Sequence, residues 1–280
     1  MPELTPSRVL RYGFAFIVVL FLIGLSFFLL SPKVSLWEIY LAFLLLLVLV
    51  SLILVYRKLV INFMDNRSEV RSAAAQEQAL LYLFQQIKPK RAFPRMRSYA
   101  ASPDFLCLLY DLIREHKPKL VLECGGGVST LVSAYALQQN GKGKVLALEH
   151  DSYYAELSSR NLKNHGLGGI AHIIHAPLKS YLIGEDEIPW YDLSDLPSDR
   201  PIDLLVVDGP PSTLHAKARY PAYPLLKDRL SPNAIILVDD GIRPAEQQMV
   251  KRWAEMMHPH VQLDWIPTEK RAAVLSCSPE

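Results

Sequence analysis

The eight residues Glu123-Cys124-Gly125-Gly126-Gly127-Val128-Ser129-Thr130 carry the densest chemical signal in this chain. Three consecutive glycines let a backbone approach a ligand closely, and Ser129 or Thr130 can cap a following helix. Acids stand at the ends of apolar runs, at Glu123, Glu149, Asp208 and Asp239-Asp240. Glu149 lies about 20 residues beyond the glycines, where an acid accepts hydrogen bonds from ribose hydroxyls. That role suits a nicotinamide or an adenosyl cofactor equally. A GxGxxG dinucleotide fingerprint begun at Gly125 would need glycine where Thr130 stands, so the match is incomplete. The bland alternatives are a tight turn that uses its glycines only for geometry and a solvated strand-end acid.

Bringing these groups to one edge requires a sheet. Short apolar runs bounded by turn residues lie at 119–123, 144–149, 171–175, 202–208 and 234–240. Helical patterns fall between them and at 104–116, where Ser102 is a candidate N-cap, and at 243–257. Continuous apolar strands alternating with helices specify a parallel sheet covered on both faces, with ligands at its carboxyl edge. Two further runs, 260–266 and 271–277, are joined by only Pro267-Thr268-Glu269-Lys270 and can pair only antiparallel. The expected fold class is α/β, a doubly wound, mostly parallel seven-stranded sheet that ends in an antiparallel hairpin. That ending is unlike a dinucleotide fold of two βαβαβ halves.

Half of the 280 residues are hydrophobic and the formal net charge is +2, which excludes a nucleic-acid binder driven by bulk charge. Cys107, Cys124 and Cys277 form no CxxC pair, which fits reduced thiols in a cytosolic domain. The apolar excess sits in the first 56 residues. A charge-free run at 12–30 is long enough to cross a hydrocarbon core of about 30 Å, and a second run at 34–56 is interrupted only by Glu38. A cleavable signal peptide is the rival reading of the first run, but a second span follows directly. Arg8 and Arg11 precede the pair and Arg57, Lys58, Arg67 and Arg71 follow it, whereas the Ser31–Ser35 link offers only Lys33. Two transmembrane helices with both termini cytoplasmic are therefore expected, which places the catalytic domain at the inner face of the membrane. Glu38 reads as a snorkelling side chain or a functional intramembrane carboxylate. The expected domains are a hairpin at 1–57, a connector at 58–100 with a helix at 68–87, and a catalytic domain at 101–280. The basic run 88–97 suits an anionic lipid, a substrate channel or a solvated loop.

Several segments together resemble class I S-adenosylmethionine-dependent methyltransferases. The nearest group is the bacterial family often labelled methyltransferase domain 24, related to catechol and caffeoyl-CoA O-methyltransferases. The segments are Ala101-Ser102-Pro103-Asp104-Phe105, Leu122 to Thr130, Leu148-Glu149-His150-Asp151, Val206-Val207-Asp208-Gly209-Pro210-Pro211, Ala218-Arg219-Tyr220-Pro221-Ala222 and Leu237-Val238-Asp239-Asp240. The resemblance covers roughly residues 95 to 280. It implies that Glu123, Gly125, Gly127 and Ser129 surround the methionine part of S-adenosylmethionine. It also implies that Glu149 holds the ribose, that His150 and Ala176 border the adenine, and that Asp208 lies beside the sulfonium.

The resemblance further implies a divalent cation on Asp208, Asp239 and Asp240, with Asp240 standing where relatives carry Asn. Converging carboxylates repel unless a cation or protons lie between them, and oxygen-only ligation favours Mg2+. Lys217, in Lys217-Ala218-Arg219-Tyr220, matches the run that carries the catalytic lysine of catechol-type enzymes. His215 is the second candidate base. The expected reaction is O-methylation of a hydroxyl-bearing acceptor, such as a lipid-linked glycan, a polysaccharide precursor or a quinone-like phenol. A nicotinamide-dependent oxidoreductase and a non-catalytic membrane scaffold are the rivals, and homo-oligomerisation stays open.

Overall fold

The computed structural model describes Ser26 and residues 35–97 and 100–277. Of the expected first span only Ser26 is described; its flanking cations Arg8, Arg11 and Lys33 lie outside the described residues. The chain divides into two compact units, Met1–Ala74 and Ala75–Glu280.

Helix α1 runs over Leu36–Ile87. The second apolar run and the connector helix, expected as separate elements, are continuous within it, because no glycine or proline interrupts the segment. It is the one helix among the described residues long and apolar enough to cross a membrane by length and composition, with a mean hydropathy of 2.5 over an 18-residue stretch. Glu38 serves its start. Its carboxylate accepts the Ser35 N–H at 2.8 Å, and the Ser35 hydroxyl oxygen receives the Glu38 N–H at 3.4 Å. This is a capping box, written in the sequence as Ser-x-x-Glu, and it satisfies two of the donors that a helix start leaves unpaired.

In the second unit α2 (Pro103–His116) precedes β1 (Leu120–Cys124), α3 (Val128–Asn140), β2 (Lys144–Glu149), α4 (Ser152–Asn164) and β3 (Ala171–His175). Then come β4 (Leu178–Ile183), β5 (Asp186–Tyr191), β6 (Ile202–Val207), the short α5 (Ala222–Leu226) and β7 (Leu230–Val238). The chain closes with α6 (Pro244–Met257), β8 (Val261–Ile266) and β9 (Ala272–Cys277). Seven strands form one sheet in the order β3-β2-β1-β6-β7-β9-β8. The first five are parallel, and β9 pairs antiparallel with both β7 and β8.

Strand alternation sends Val121, Val145, Ala147, Leu204, Val206 and Leu237 into one apolar cluster, with side chains of α2, α3 and α4. Leu122, Leu148, Leu205, Val207, Ile236 and Val238 enter a second cluster, with Trp190, Tyr191, Tyr223 and Trp253. Both faces are therefore covered, as apolar parallel strands require.

Two departures from the sequence reading bear on the site. Asp208 and Asp239-Asp240 fall just beyond the ends of β6 and β7, in loops. The second departure is the separate antiparallel hairpin β4–β5, which was not expected. Its signal was a two-residue Gly184-Glu185 turn, with Gly184 at φ +65°.

Candidate active site

The glycine turn is held by both of its flanks. Gly125 has φ +101°, a conformation that favours glycine, and its N–H donates to the Leu148 carbonyl at 2.9 Å. A Cβ at Gly125 would meet Asp208 and Gly209 backbone at 3.4 to 3.5 Å, whereas one at Gly127 would meet nothing within 4 Å. Space therefore lies beside Gly127, where the turn enters α3, and not over Gly126, whose Cβ would meet Ile173 at 3.4 Å.

Glu123 is 1% exposed and accepts hydroxyl hydrogen bonds from Ser129 at 3.0 Å, Thr130 at 2.8 Å and Ser133 at 2.6 Å. Burial pushes its carboxyl up, and the three hydroxyls pull against that rise. Thr130 in turn accepts the Gly127 N–H at 3.1 Å. Glu123 and Ser129, expected beside the methionine part of a cofactor, thus spend their polar atoms on each other. Their work is to lock α3 against β1.

Glu149, 7% exposed, accepts the Asp151 N–H on Oε1 at 3.0 Å. His150 Nδ1 lies 2.9 Å from the same oxygen without hydrogen-bond alignment. The Ala176 N–H donates to the Glu149 carbonyl at 2.8 Å, so β2 and the end of β3 are tied at this edge. Glu149, His150 and Ala176 are therefore adjacent, as a pocket for a ribose and a base needs.

Tyr191 was missed by the sequence reading. It is fully buried on β5, and a Cβ at Gly209 would meet its hydroxyl at 2.3 Å. That hydroxyl has no partner among the described residues. Burial, then the neighbouring Cys124 and Glu149, push its pKa well up.

Asp208, Asp239 and Asp240 do converge, each offering an oxygen within 4.8 Å of the others. The positive charge among them comes from the protein. The Arg219 side chain, 5% exposed, donates to the Asp240 carboxylate at 2.7 Å, to the Asp208 carboxylate at 3.2 Å and to both residues' neighbouring carbonyls, Asp208 O and Asp239 O. Lys270 lies 3.7 Å from Asp239 and from Asp240, and Arg243 lies 3.1 Å from Asp240. Burial pushes Asp208 up to about 7; Arg219 opposes the rise and Asp239 and Asp240 add to it. Arg219 cannot cancel that rise because it is shared with Asp240 and Glu246. Its own pKa is raised although burial works against its charge. Asp239 also rises through burial and its neighbour Asp240.

A divalent ion suits these oxygens by distance but not by charge. Arg219, Lys270 and Arg243 already face the cluster and its neighbour Glu246, and Arg219 donates to both Asp208 and Asp240, where an ion would have to sit. The residues as placed do not fit it.

Lys217 and His215 lie on the loop between β6 and α5, and neither is presented as a base. Lys217 Nζ is ion-paired with Asp186 at the start of β5, and an ammonium has no lone pair for a proton. His215 Nδ1 accepts the Lys217 N–H at 3.1 Å, which leaves the neutral ring's proton on Nε2. Arg219, Lys270 and Glu246, also unforeseen, arrive from three separate segments. Only the Ala218-Arg219-Tyr220 run gave any advance sign of them.

Comparison with known proteins bears on the fold. Residues 122–241 match the family described as "Methyltransferase domain". No curated protein sequence matches the chain. The SAH-bound methyltransferase PaMTH1 of Podospora anserina is similar in fold, with TM-score 0.53 and 18% identity over 76% of this chain and 96% of that one. An O-methyltransferase of Bacillus cereus in complex with SAH has TM-score 0.50 and 17% identity over 73% and 91%. The stretch that matches the family contains the glycine turn, Glu149, Asp208, Arg219 and Asp239-Asp240. Residues 122–241 are thus similar to a methyltransferase domain, and the second unit has the mostly parallel seven-stranded fold of these solved structures.

Proposed function

We propose that the chain transfers a methyl group from S-adenosylmethionine to the hydroxyl of an acceptor at the cytoplasmic face of a membrane, to which α1 anchors it. The observation that carries the donor assignment is the pairing of an open glycine turn with Glu149 at the same sheet edge. No hydrogen bond from a described residue reaches Glu149 Oε2, so it is free to accept from ribose hydroxyls. First-turn N–H groups of α3 suit the donor's carboxylate. His150 and Ala176 border the base. The buried, unpartnered Tyr191 hydroxyl marks a polar point between Glu149 and Asp208.

The donor supplies an activated methyl on a sulfonium, whose carbon must meet the acceptor oxygen in line at about 3 Å. The chain's part is to orient the acceptor, exclude water and take the hydroxyl proton. Asp208 suits the last task best, since a base works most effectively when its pKa lies near the operating pH. Arg219 holds that carboxylate in place. Lys217 and His215 remain at the rim of the acceptor side.

Calorimetry on the detergent-solubilised chain with S-adenosylmethionine and with NAD tests the reading. Binding of the first and not the second is the expected result, and Glu149→Ala should weaken it at least tenfold. Preference for NAD, or an unchanged affinity in that variant, would refute the donor assignment.

A further inference from the structure

Beside the carboxylate cluster lies a cavity of about 160 Å³ formed by the β4–β5 turn, the loop from Ser212 to Tyr220 and the first turns of α6. That volume is well above what one water needs and below the roughly 300 Å³ of pockets for drug-sized ligands. It suits a single ring. Two of its lining side chains, Arg219 and Glu246, are each 5% exposed. Each keeps one buried atom without a partner, Arg219 Nε–H, a donor, and Glu246 Oε2, an acceptor. Buried polar atoms are nearly always paired, so an orphaned donor and acceptor on one cavity call for a ligand.

We propose that this cavity is the acceptor subsite and that it takes a polyhydroxylated ring, a glycosyl unit, in preference to a planar phenol; the proposal rests on the methyltransferase reading for the word acceptor. A hydroxyl both donates and accepts, so hydroxyls meet Glu246 Oε2 and Arg219 Nε–H alike. The remaining walls are mixed. Asp186, Lys217, Arg252, Ser212 and Gln248 put polar groups around the cavity, and Tyr220, Met249, Ile183, Ala216, Ala218 and Ala245 give it apolar surface. A phenol has one hydroxyl to offer where the cavity holds both an orphaned donor and an orphaned acceptor. A sugar distributes hydroxyls around its rim and offers a C–H face to Tyr220. Arg219 lines the cavity and contacts the Asp208 carboxylate at 3.2 Å, which links the cavity to the proton acceptor.

The test uses the full chain in detergent, with S-adenosylhomocysteine present and its own affinity measured by calorimetry. Saturation-transfer NMR is run with methyl glucoside, methyl mannoside and methyl galactoside, and with catechol as the planar control. At least one glycoside should give a saturable signal. Ala216→Trp, which fills the cavity from its exposed loop, should abolish that signal, and Glu246→Gln should weaken binding about tenfold. Both variants should bind S-adenosylhomocysteine as the wild type does. Binding of catechol alone, binding of no probe, or a glycoside signal that survives Ala216→Trp would overturn the subsite. A glycoside signal without S-adenosylhomocysteine binding would leave a sugar site and remove the methyltransferase reading instead.

Discussion

Asp208 and Arg219 form the pair on which residue-scale chemistry turns. If Asp208 accepts the acceptor's proton, it acts only when ionised, so the methyl-transfer rate should climb as pH rises through about 7. Asp208→Asn should flatten that limb and lower the rate by roughly 10²- to 10⁴-fold. A pH profile identical to the wild type would remove the assignment. Arg219 sets the charge balance. Arg219→Met leaves three buried carboxylates with less compensation and should destabilise the fold by about 3–5 kcal/mol, measured by denaturant unfolding. The same balance predicts that a chelator leaves wild-type transfer unchanged, and loss of activity in EDTA would show that a metal does bind here. Asp208 was readable beforehand as a strand-end acid. Arg219 was not read as a site residue, because a cation's importance depends on which carboxylates the fold brings to it.

At the scale of elements, the β4–β5 hairpin both lines the cavity, through Ile183 and Asp186, and packs Tyr191 against Gly209. Tyr191 packs its hydroxyl so closely to Gly209 that no side chain fits there. Gly209→Ala should therefore cost stability, and Tyr191→Phe, which removes an unpartnered hydroxyl, should cost little. The double variant Gly209→Ala with Tyr191→Phe should recover part of the loss. Strict additivity in thermal unfolding would contradict the contact. The terminal hairpin has a similar duty, since its turn carries Lys270 to Asp239 and Asp240. The hairpin itself could be read from its four-residue link; the destination of its lysine could not. Glu38 shows the opposite case, in which a local Ser-x-x-Glu pattern accounts for a residue that membrane arguments alone leave between snorkelling and an intramembrane role.

For the whole molecule, the division at Ala74 predicts that association with membranes belongs to the first unit. Full-length chain should sediment with membranes and resist extraction by high salt, whereas residues 75–280 should stay in the supernatant and still bind S-adenosylmethionine. Sedimentation of the fragment with membranes would place the attachment elsewhere. By itself the sequence determined the seven strands of the main sheet, the parallel core, the closing antiparallel pair and the glycine turn. These follow from periodicity and turn chemistry, which act over a few residues. Only the tertiary structure decided which charges face Asp208, that Lys217 is spent on Asp186, and that an unforeseen hairpin brings Tyr191 beneath the carboxyl edge. Those outcomes depend on side chains far apart in the chain meeting in a low-dielectric interior, where partner and distance, not residue type, set the energy.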